Sequence, residues 1–139
     1  MDPEPVDGAA LMRGFLAHSP FARELGLELD SIEPDSAELV LPFREGLATY
    51  GDVVHGGAIC ALVDVAATAA AWSDIAPSTS PQGATVGVTV DFLRAAHGVD
   101  LRARAKVVRR GRQLCFCDVE VLRPDEELVA KGLATYKLG

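Results

Sequence analysis

A single carboxylate, that of Asp64, stands inside an otherwise apolar stretch over residues 53–72, which has the tripeptide His-Gly-Gly near its start. A buried carboxylate without a partner is destabilising, so this position requires either a hydrogen bond or a chemical task. The task would be that of a general base or nucleophile, kept from bulk water, that acts on a carbonyl group or orients a water molecule. The alternative is structural, with the carboxylate bonded by Thr68 one helical turn later or by a neighbouring loop.

Gly56 and Gly57 supply a second chemical element at the start of the same stretch. Glycine lets a ligand approach the backbone closely, and the free N–H groups of a first helical turn can hold a developing oxyanion. Glycine pairs also mark ordinary tight turns before helices. His55, which precedes the pair, fits a hydrogen bond that orders such a turn better than it fits catalysis.

The spacing between Gly56 and Asp64 decides whether one chain can use both groups. Eight residues of helix separate them by about 12 Å, at a rise of 1.5 Å per residue. Groups that act on one carbonyl must each lie within about 3.5 Å of that carbonyl or its attacker. One helix does not allow this, so we expect the Gly56 N–H to come from a second subunit whose helix runs antiparallel. The site then lies at a two-fold dimer interface and occurs twice.

The hydrophobic pattern predicts one long helix in a largely β-stranded chain. Good helix formers without an interrupting Pro predict a helix over residues 56–73, apolar or small on both faces and therefore covered on most sides. Shorter helical segments are expected over residues 10–17 and 21–25. Alternating apolar and polar residues predict six strands, over residues 25–29, 37–41, 85–93, 100–108, 114–122 and 128–136. This order indicates an α+β protein with the hotdog architecture, an antiparallel six-stranded sheet curled around one long central helix.

The composition is that of one globular domain. With 139 residues, 49% hydrophobic and 24% charged, we expect a single domain over 1–139, in which residues 1–9 form a flexible tail. Cys60, Cys115 and Cys117 form no CxxC pair, and with the histidines they match no zinc spacing, so no metal or other cofactor is expected. Reduced thiols and an N-terminus without an export signal favour the cytoplasm.

The charge disfavours two classes of partner. A net charge of -7 and a pI of about 4.8 disfavour a protein that coats nucleic acid or an anionic membrane. A membrane span over residues 53–72 is disfavoured because Asp64 lies near its centre. We therefore expect no nucleic-acid partner and no membrane partner.

Several motifs resemble one family in their order and spacing. The chain is similar to the PaaI-type acyl-CoA thioesterases of the hotdog superfamily over about residues 21–137. The motifs that carry this similarity are HGG with Asp64 nine residues after His55, then TVGVTVDFLRAA, VVRRGRQL and LVAKGLATYKL. The resemblance implies a homodimer, expected to pair into a homotetramer, that hydrolyses an acyl-CoA thioester to free acid and CoA. It implies that Asp64 is the catalytic carboxylate and that Gly56 of the partner subunit polarises the thioester carbonyl through its N–H. It further implies that His55 supports this turn and that Thr68 helps to place the water.

The resemblance also implies a set of substrate-binding positions, most of them on the CoA portion. They are Thr49, Gly57, Thr85, Gly87, Arg109, Arg110, Gly111, Arg112, Gln113, Leu114 and Lys137. Arginine forks bind phosphate well, so the hairpin tip that contains Arg109, Arg110 and Arg112 is a candidate for the CoA phosphates. Arg102, Arg104 and Lys106 fit the solvated side of a strand better.

Thr49 departs from the family pattern, in which many members carry Asn six residues before the histidine. An amide both donates and accepts, whereas Thr offers one shorter hydroxyl, so the positioning of water or carbonyl could differ. A non-catalytic acyl-CoA or acyl-ligand binding module, in which Thr49 reflects lost chemistry, is therefore the alternative to an enzyme. A hotdog dehydratase would place a catalytic His and acid in a differently spaced motif, which the sequence lacks.

Two further questions stay open at the level of the sequence. Asp64 would either activate water or attack the carbonyl to form a transient anhydride. The acyl group is not defined, because its candidate pocket residues fit the core equally well; they are Leu47, Tyr50, Trp72 and Phe92.

Overall fold

The computed structural model describes residues 7–75 and 82–139. Its chain order begins with two short helices, α1 (Gly8–His18) and α2 (Pro20–Leu25), followed by the strands β1 (Glu28–Glu33) and β2 (Ser36–Leu41). A single 3-10 turn then leads into the remaining elements. These are β3 (Ala48–Tyr50), β4 (Val53–Val54), α3 (Gly56–Trp72), β5 (Gly83–Phe92), β6 (Leu101–Arg110), β7 (Leu114–Leu122) and β8 (Leu128–Leu138). In the described part of the chain, no helix has both the length and the apolar character needed to cross a membrane.

The six long strands form one antiparallel sheet in the order β1-β2-β6-β7-β8-β5, and β3 pairs separately with β4. β6 shows why the alternating sequence predicts a half-buried strand. Leu101, Ala103 and Ala105 are buried against α3, whereas Arg104 and Lys106 face outward and are exposed. The sheet and helix thus have the predicted α+β arrangement, with the polar face of the sheet turned away from the core.

α3 is covered on most sides, as its apolar sequence predicts. Leu62, Val63 and Ala66 are each 0% exposed. β8 approaches the helix so closely at Gly132 that a Cβ there would lie 2.5 Å from Val63 Cγ1. Gly132 is therefore required for contact between the sheet and the middle of the helix.

The N-terminal region differs from the prediction at two boundaries. The predicted tail covers residues 1–9, of which residues 1–6 lie outside the described part, but α1 already begins at Gly8 because the Asp7 side chain accepts the Ala10 N–H at 2.7 Å. The strand predicted over residues 25–29 is β1, shifted toward the C-terminus. Leu25 belongs to α2, which ends where Gly26 adopts the left-handed conformation with φ 75.

β5 is the edge strand, and β8 is its one paired neighbour among the described residues. Its side chains are mostly exposed on both faces, including Val86 (62%), Val88 (38%) and Phe92 (53%). A bulge between Thr85 and Gly87 interrupts its pairing with β8. An apolar edge strand that is exposed in this way favours pairing with another chain.

Candidate active site

Asp64 lies halfway along α3 and is partly buried, with its carboxylate turned toward the start of β5. The Thr85 hydroxyl donates a hydrogen bond to Asp64 Oδ1 at 2.7 Å. The structural interpretation in which Thr68 bonds the carboxylate is wrong, since the Thr68 hydroxyl donates to the Asp64 backbone carbonyl at 2.9 Å. Among residues 7–75 and 82–139, this neutral hydroxyl is the one side-chain donor to the carboxylate. It fixes the carboxylate without neutralising it, and this leaves Oδ2 able to accept a proton from water.

His55 is the N-cap of α3 and orders the turn, as the sequence predicts. Its Nδ1 accepts the Gly57 N–H at 2.7 Å, so the neutral imidazole carries its proton on Nε2. Among the described residues, no acceptor takes the N–H of Gly56. Gly56 therefore offers a backbone donor at the positive end of a helix of 17 residues.

Asp64 and Gly56 lie at opposite ends of the contact between α3 and β5. Thr85 near the start of β5 bonds Asp64, whereas the Phe92 ring at its end lies 3.4 Å from where a Cβ on Gly56 would stand. The helix and the edge strand therefore run in opposite directions. Within one subunit, the structure does not bring the carboxylate and the Gly56 N–H together, in agreement with the separation of about 12 Å along a helix.

Trp72 and Tyr136 form a second polar contact near Asp64 that the sequence does not reveal. Trp72 Nε1 donates to Tyr136 Oη at 2.7 Å, and the two rings meet edge to face with centroids 6.3 Å apart. Burial raises the pKa of Tyr136, and the negative charge of Asp64 adds to this rise, while the bond from Trp72 opposes it. Tyr136 is therefore a neutral hydroxyl held at the edge of the same site.

The basic hairpin between β6 and β7 contains residues with different surroundings. Arg110 donates to Asp35 Oδ1 at 2.7 and 3.0 Å and to the Ala71 carbonyl at 2.9 Å, near the C-terminal end of α3. These contacts give Arg110 a structural role. Arg109 and Arg112 are exposed, and the proposed contact with the CoA phosphates therefore falls on them.

The other predicted substrate-binding residues are distributed around two edges of the sheet. Gly111 and Leu114 close the hairpin through a bond of 2.8 Å, and the Gln113 carbonyl accepts the Leu138 N–H at 2.7 Å. Lys137 is exposed and pairs with Leu114 at the same end of the sheet. The start of β5, which carries Thr85 and Gly87, lies beside this end through its pairing with β8.

Thr49 and Gly57 lie on the other side of the site, near the start of α3, and both are exposed. Thr49 stands in β3, which pairs with β4 directly before the helix. The His55 N–H donates to the Leu47 carbonyl at 2.8 Å, so this small hairpin helps to place the N-terminus of α3.

The candidate acyl-pocket residues have different environments. Leu47 is 6% exposed and belongs to the core, whereas Tyr50 is 81% and Phe92 53% exposed. Trp72 is buried but borders a cavity of about 680 Å³, together with residues of α1 and Tyr136. Of the four candidates, Trp72 is the one that lines this cavity.

Comparison with known proteins places this site within a family. A sequence model of the thioesterase superfamily matches residues 51–130. The protein named medium/long-chain acyl-CoA thioesterase YigI, from Escherichia coli (strain K12), is 28% identical over 141 residues, covering 90% of this chain and 89% of that protein. The crystal structure of a thioesterase family protein from Silicibacter pomeroyi is 29% identical, covers 94% of this chain and 97% of that one, and has a TM-score of 0.85. The E. coli PaaI protein of the phenylacetic acid degradation operon is 23% identical over 94% of this chain and 92% of that one, with a TM-score of 0.80.

The chain belongs to the thioesterase superfamily, since the family match covers more than half of it. The predicted family, the hotdog fold and the class of thioester hydrolase are thereby confirmed. The likeness to PaaI shows a shared fold. The roles of the individual site residues and the assembly of subunits stay predictions.

Proposed function

We propose that the protein hydrolyses acyl-CoA thioesters to free acid and CoA at a site shared by two subunits. Asp64 is the catalytic carboxylate, and the Gly56 N–H of the partner subunit polarises the thioester carbonyl. The observation that carries this proposal is the opposed direction of α3 and β5, with Asp64 at one end of the edge strand and Gly56 at the other. The name of the relative YigI supports an acyl-CoA as the substrate.

The exposed edge of β5 supports the two-subunit arrangement. Two copies of β5 that pair antiparallel about a two-fold axis bring the Phe92 end of one strand beside the Thr85 end of the other. Gly56, which lies beside Phe92, thereby approaches Asp64 of the partner. The same pairing covers Val86 and Val88, which are 62% and 38% exposed.

The chemistry follows from these groups. Asp64 takes a proton from a water molecule, whose oxygen bonds to the carbonyl carbon, and the Gly56 N–H holds the resulting oxyanion. The carbon–sulfur bond then breaks, and the proton passes to the CoA thiolate. In the second route, the Asp64 carboxylate attacks the carbonyl carbon, and the carbon–sulfur bond breaks to release the CoA thiolate and leave an anhydride. Water then hydrolyses the anhydride to the free acid and the Asp64 carboxylate, and the proton passes to the thiolate. His55 supports the turn that presents the Gly56 N–H, and Thr68 helps to place the water.

The basic end of the sheet is proposed to bind CoA. Arg109, Arg112 and Lys137 are exposed cations at the end of the sheet where β5 begins. The phosphates of CoA attract such side chains through charge-assisted hydrogen bonds. Thr85 and Gly87 at the β5 bulge, and the backbone of the hairpin residues Gly111, Gln113 and Leu114, would border the pantetheine arm.

Pairing of dimers into a homotetramer stays a prediction. Three apolar side chains on the outer face of the sheet support it, since Val108, Phe116 and Leu133 are 60%, 37% and 60% exposed. Light scattering at working concentration distinguishes a tetramer from a dimer.

A thiol-release assay on a panel of aryl, hydroxyaryl and straight-chain acyl-CoAs tests the proposed function. The wild-type protein is expected to release CoA from at least one member, and Asp64→Asn is expected to lose this turnover while keeping its fold and oligomeric state. Acyl-CoA that binds without any release of thiol favours the non-catalytic module. Unchanged turnover in Asp64→Asn removes the role of Asp64.

A further inference from the structure

An apolar cavity lies between α1 and the second half of α3. The cavity encloses about 680 Å³ and is bordered by Leu11, Gly14 and Phe15 of α1, by Thr68 and Trp72 of α3, and by Tyr136 of β8. This volume falls within the range of about 300–1,000 Å³ that is typical of small-molecule sites. No described residue of its lining carries a charge.

The cavity begins about one helical turn from the proposed reaction centre. Thr68 borders it and lies one helical turn beyond Asp64, to whose carbonyl it is bonded. Gly83, two residues before Thr85, borders it from β5. An acyl group whose carbonyl lies at Asp64 can therefore extend along α3 toward Trp72.

The polar side-chain atoms of Trp72, Tyr136 and Thr68 in the lining bond to each other or to the backbone. The side chain of Gln82 is a further polar group of the lining. Trp72 Nε1 donates to Tyr136 Oη, and the Thr68 hydroxyl donates to the helix backbone. A Cβ on Gly83 would lie 2.6 Å from Tyr136 Cε1 and 2.9 Å from Trp72 Cζ2, so the aromatic pair closes this end tightly. Such a wall binds an apolar group more favourably than a group that needs hydrogen bonds.

From these observations, and resting on the proposed function, the geometry points to a pocket for the straight aliphatic acyl chain of the substrate, with the Trp72–Tyr136 pair in its wall. Asp64 and Trp72 are eight residues apart, or about 12 Å along the helix. At no more than about 1.5 Å per carbon–carbon bond, a chain of about eight or more carbons is needed to span this length of the helix. A single aromatic ring fills a cavity of only about 150 Å³, less than a quarter of this one.

Gly14 offers a direct way to shorten the pocket. A Cβ at Gly14 meets nothing within 4 Å, so a side chain can begin there without a backbone shift, and Gly14→Leu adds apolar bulk to the lining. Leucine also favours the helix more than glycine does. Ala17→Leu is the matched control, because Ala17 is exposed on α1 and does not border this cavity.

Chain-length profiles test the assignment. The ratio of kcat/KM for decanoyl-CoA to that for butyryl-CoA is expected to fall at least tenfold in Gly14→Leu and to keep its wild-type value in Ala17→Leu. An unchanged ratio in a folded Gly14→Leu protein, or an equal fall in both variants, overturns the assignment.

A binding measurement separates this inference from the proposed function. Trp72 is the single tryptophan of the chain, so its emission reports on the wall of the cavity. The non-hydrolysable thioether dodecyl-CoA is expected to shift this emission more than butyl-CoA does, and Gly14→Leu is expected to reduce the shift with dodecyl-CoA. If the wild type releases no thiol from any acyl-CoA but shows this shift, the proposed hydrolysis fails and the pocket stands. If thiol is released but dodecyl-CoA leaves the emission unchanged, the pocket assignment fails alone.

Discussion

The Thr85 hydroxyl donates to Asp64 Oδ1 at 2.7 Å, and this bond ties the middle of α3 to the start of the edge strand β5. At the opposite end of β5, the Phe92 ring packs beside Gly56, which begins the same helix. The Asp64 carboxylate therefore lies beside one end of the exposed edge strand β5, and the Gly56 N–H lies beside the other end. A two-fold axis through that edge is the simplest way to bring the two groups together.

Removal of the Thr85 hydroxyl is expected to lower kcat more than it changes KM. The bond holds an ionised carboxylate in position, and a hydrogen bond to a charged group contributes about 1.5–3 kcal/mol, so Thr85→Ala should lose roughly tenfold or more in kcat. Thr85→Ser keeps the hydroxyl and should retain most of the activity. Steady-state kinetics on both variants measure this, and an equal loss in the serine variant would contradict the positioning role.

Loss of Arg112 or Lys137 is expected to weaken the binding of CoA itself. Both side chains are exposed, so Arg112→Ala and Lys137→Ala should each raise KM for acyl-CoA by roughly two- to fivefold, more at low salt. The acyl-pantetheine thioester, which lacks the nucleotide phosphates, should show no such change. Arg104→Ala is the control, since Arg104 pairs with Glu38 and Glu126 on the outer face of the sheet. An equal rise in KM for both thioesters would show that these residues do not contact phosphate.

Arg110 is expected to matter for stability. Its guanidinium bonds Asp35 and the last carbonyls of α3, so Arg110→Ala should lower the free energy of unfolding by about 1.5–3 kcal/mol. Arg109→Ala, at an exposed neighbour, should change it by less than about 0.5 kcal/mol. Urea unfolding of the two variants compares them. Similar stability in both would mean that the contacts of Arg110 contribute nothing.

Alkaline pH is expected to destabilise the fold through Cys117. Burial raises the pKa of this thiol from 9.0 to about 12, so the unfolded chain loses the proton first as the pH rises. The contribution of the neutral thiol is fully present below about pH 8.5 and is lost progressively toward pH 12. Urea unfolding at pH 8, 9.5 and 11 should show a shallower decline in Cys117→Ala than in the wild type. Identical declines would exclude this source of pH dependence.

The sequence predicts α3 and most strands well because the residues that define each of these elements are close together in the chain. A Gly pair after an N-cap residue defines the start of α3, and period-two alternation defines β6 and β7. Arg110 shows where this reasoning fails. A bulge between Val107 and Arg109 shifts the alternation by one residue, so that Arg110 pairs with buried Cys115 and turns toward the helix.

The residues of the candidate site also divide into those that the sequence reveals and those that only the structure reveals. His55, Gly56 and Asp64 are visible in the sequence because they share one short segment. The Thr85 bond and the Trp72–Tyr136 contact are not, since they join residues 21 and 64 positions apart. Only the packing of β5 and β8 against α3 creates them.

Subunit complementation tests the shared site most directly. It requires a variant that lacks the Gly56 N–H but keeps the fold. Proline lacks this N–H but fits the first position of a helix, and His55, with φ -62 and ψ 134, has a conformation that a following proline allows. Gly56→Pro and Asp64→Asn are each expected to be folded and inactive as pure proteins.

A dimer that contains one subunit of each kind keeps one site with both Asp64 and the Gly56 N–H. The decisive measurement is the thiol-release rate after equal amounts of the two variants are unfolded and refolded together. Random pairing should restore about a quarter of the wild-type rate, because half the dimers are mixed and each has one intact site of two. If the mixture stays as inactive as its parents while mixed dimers are shown to form, the carboxylate and the N–H do not act across the interface.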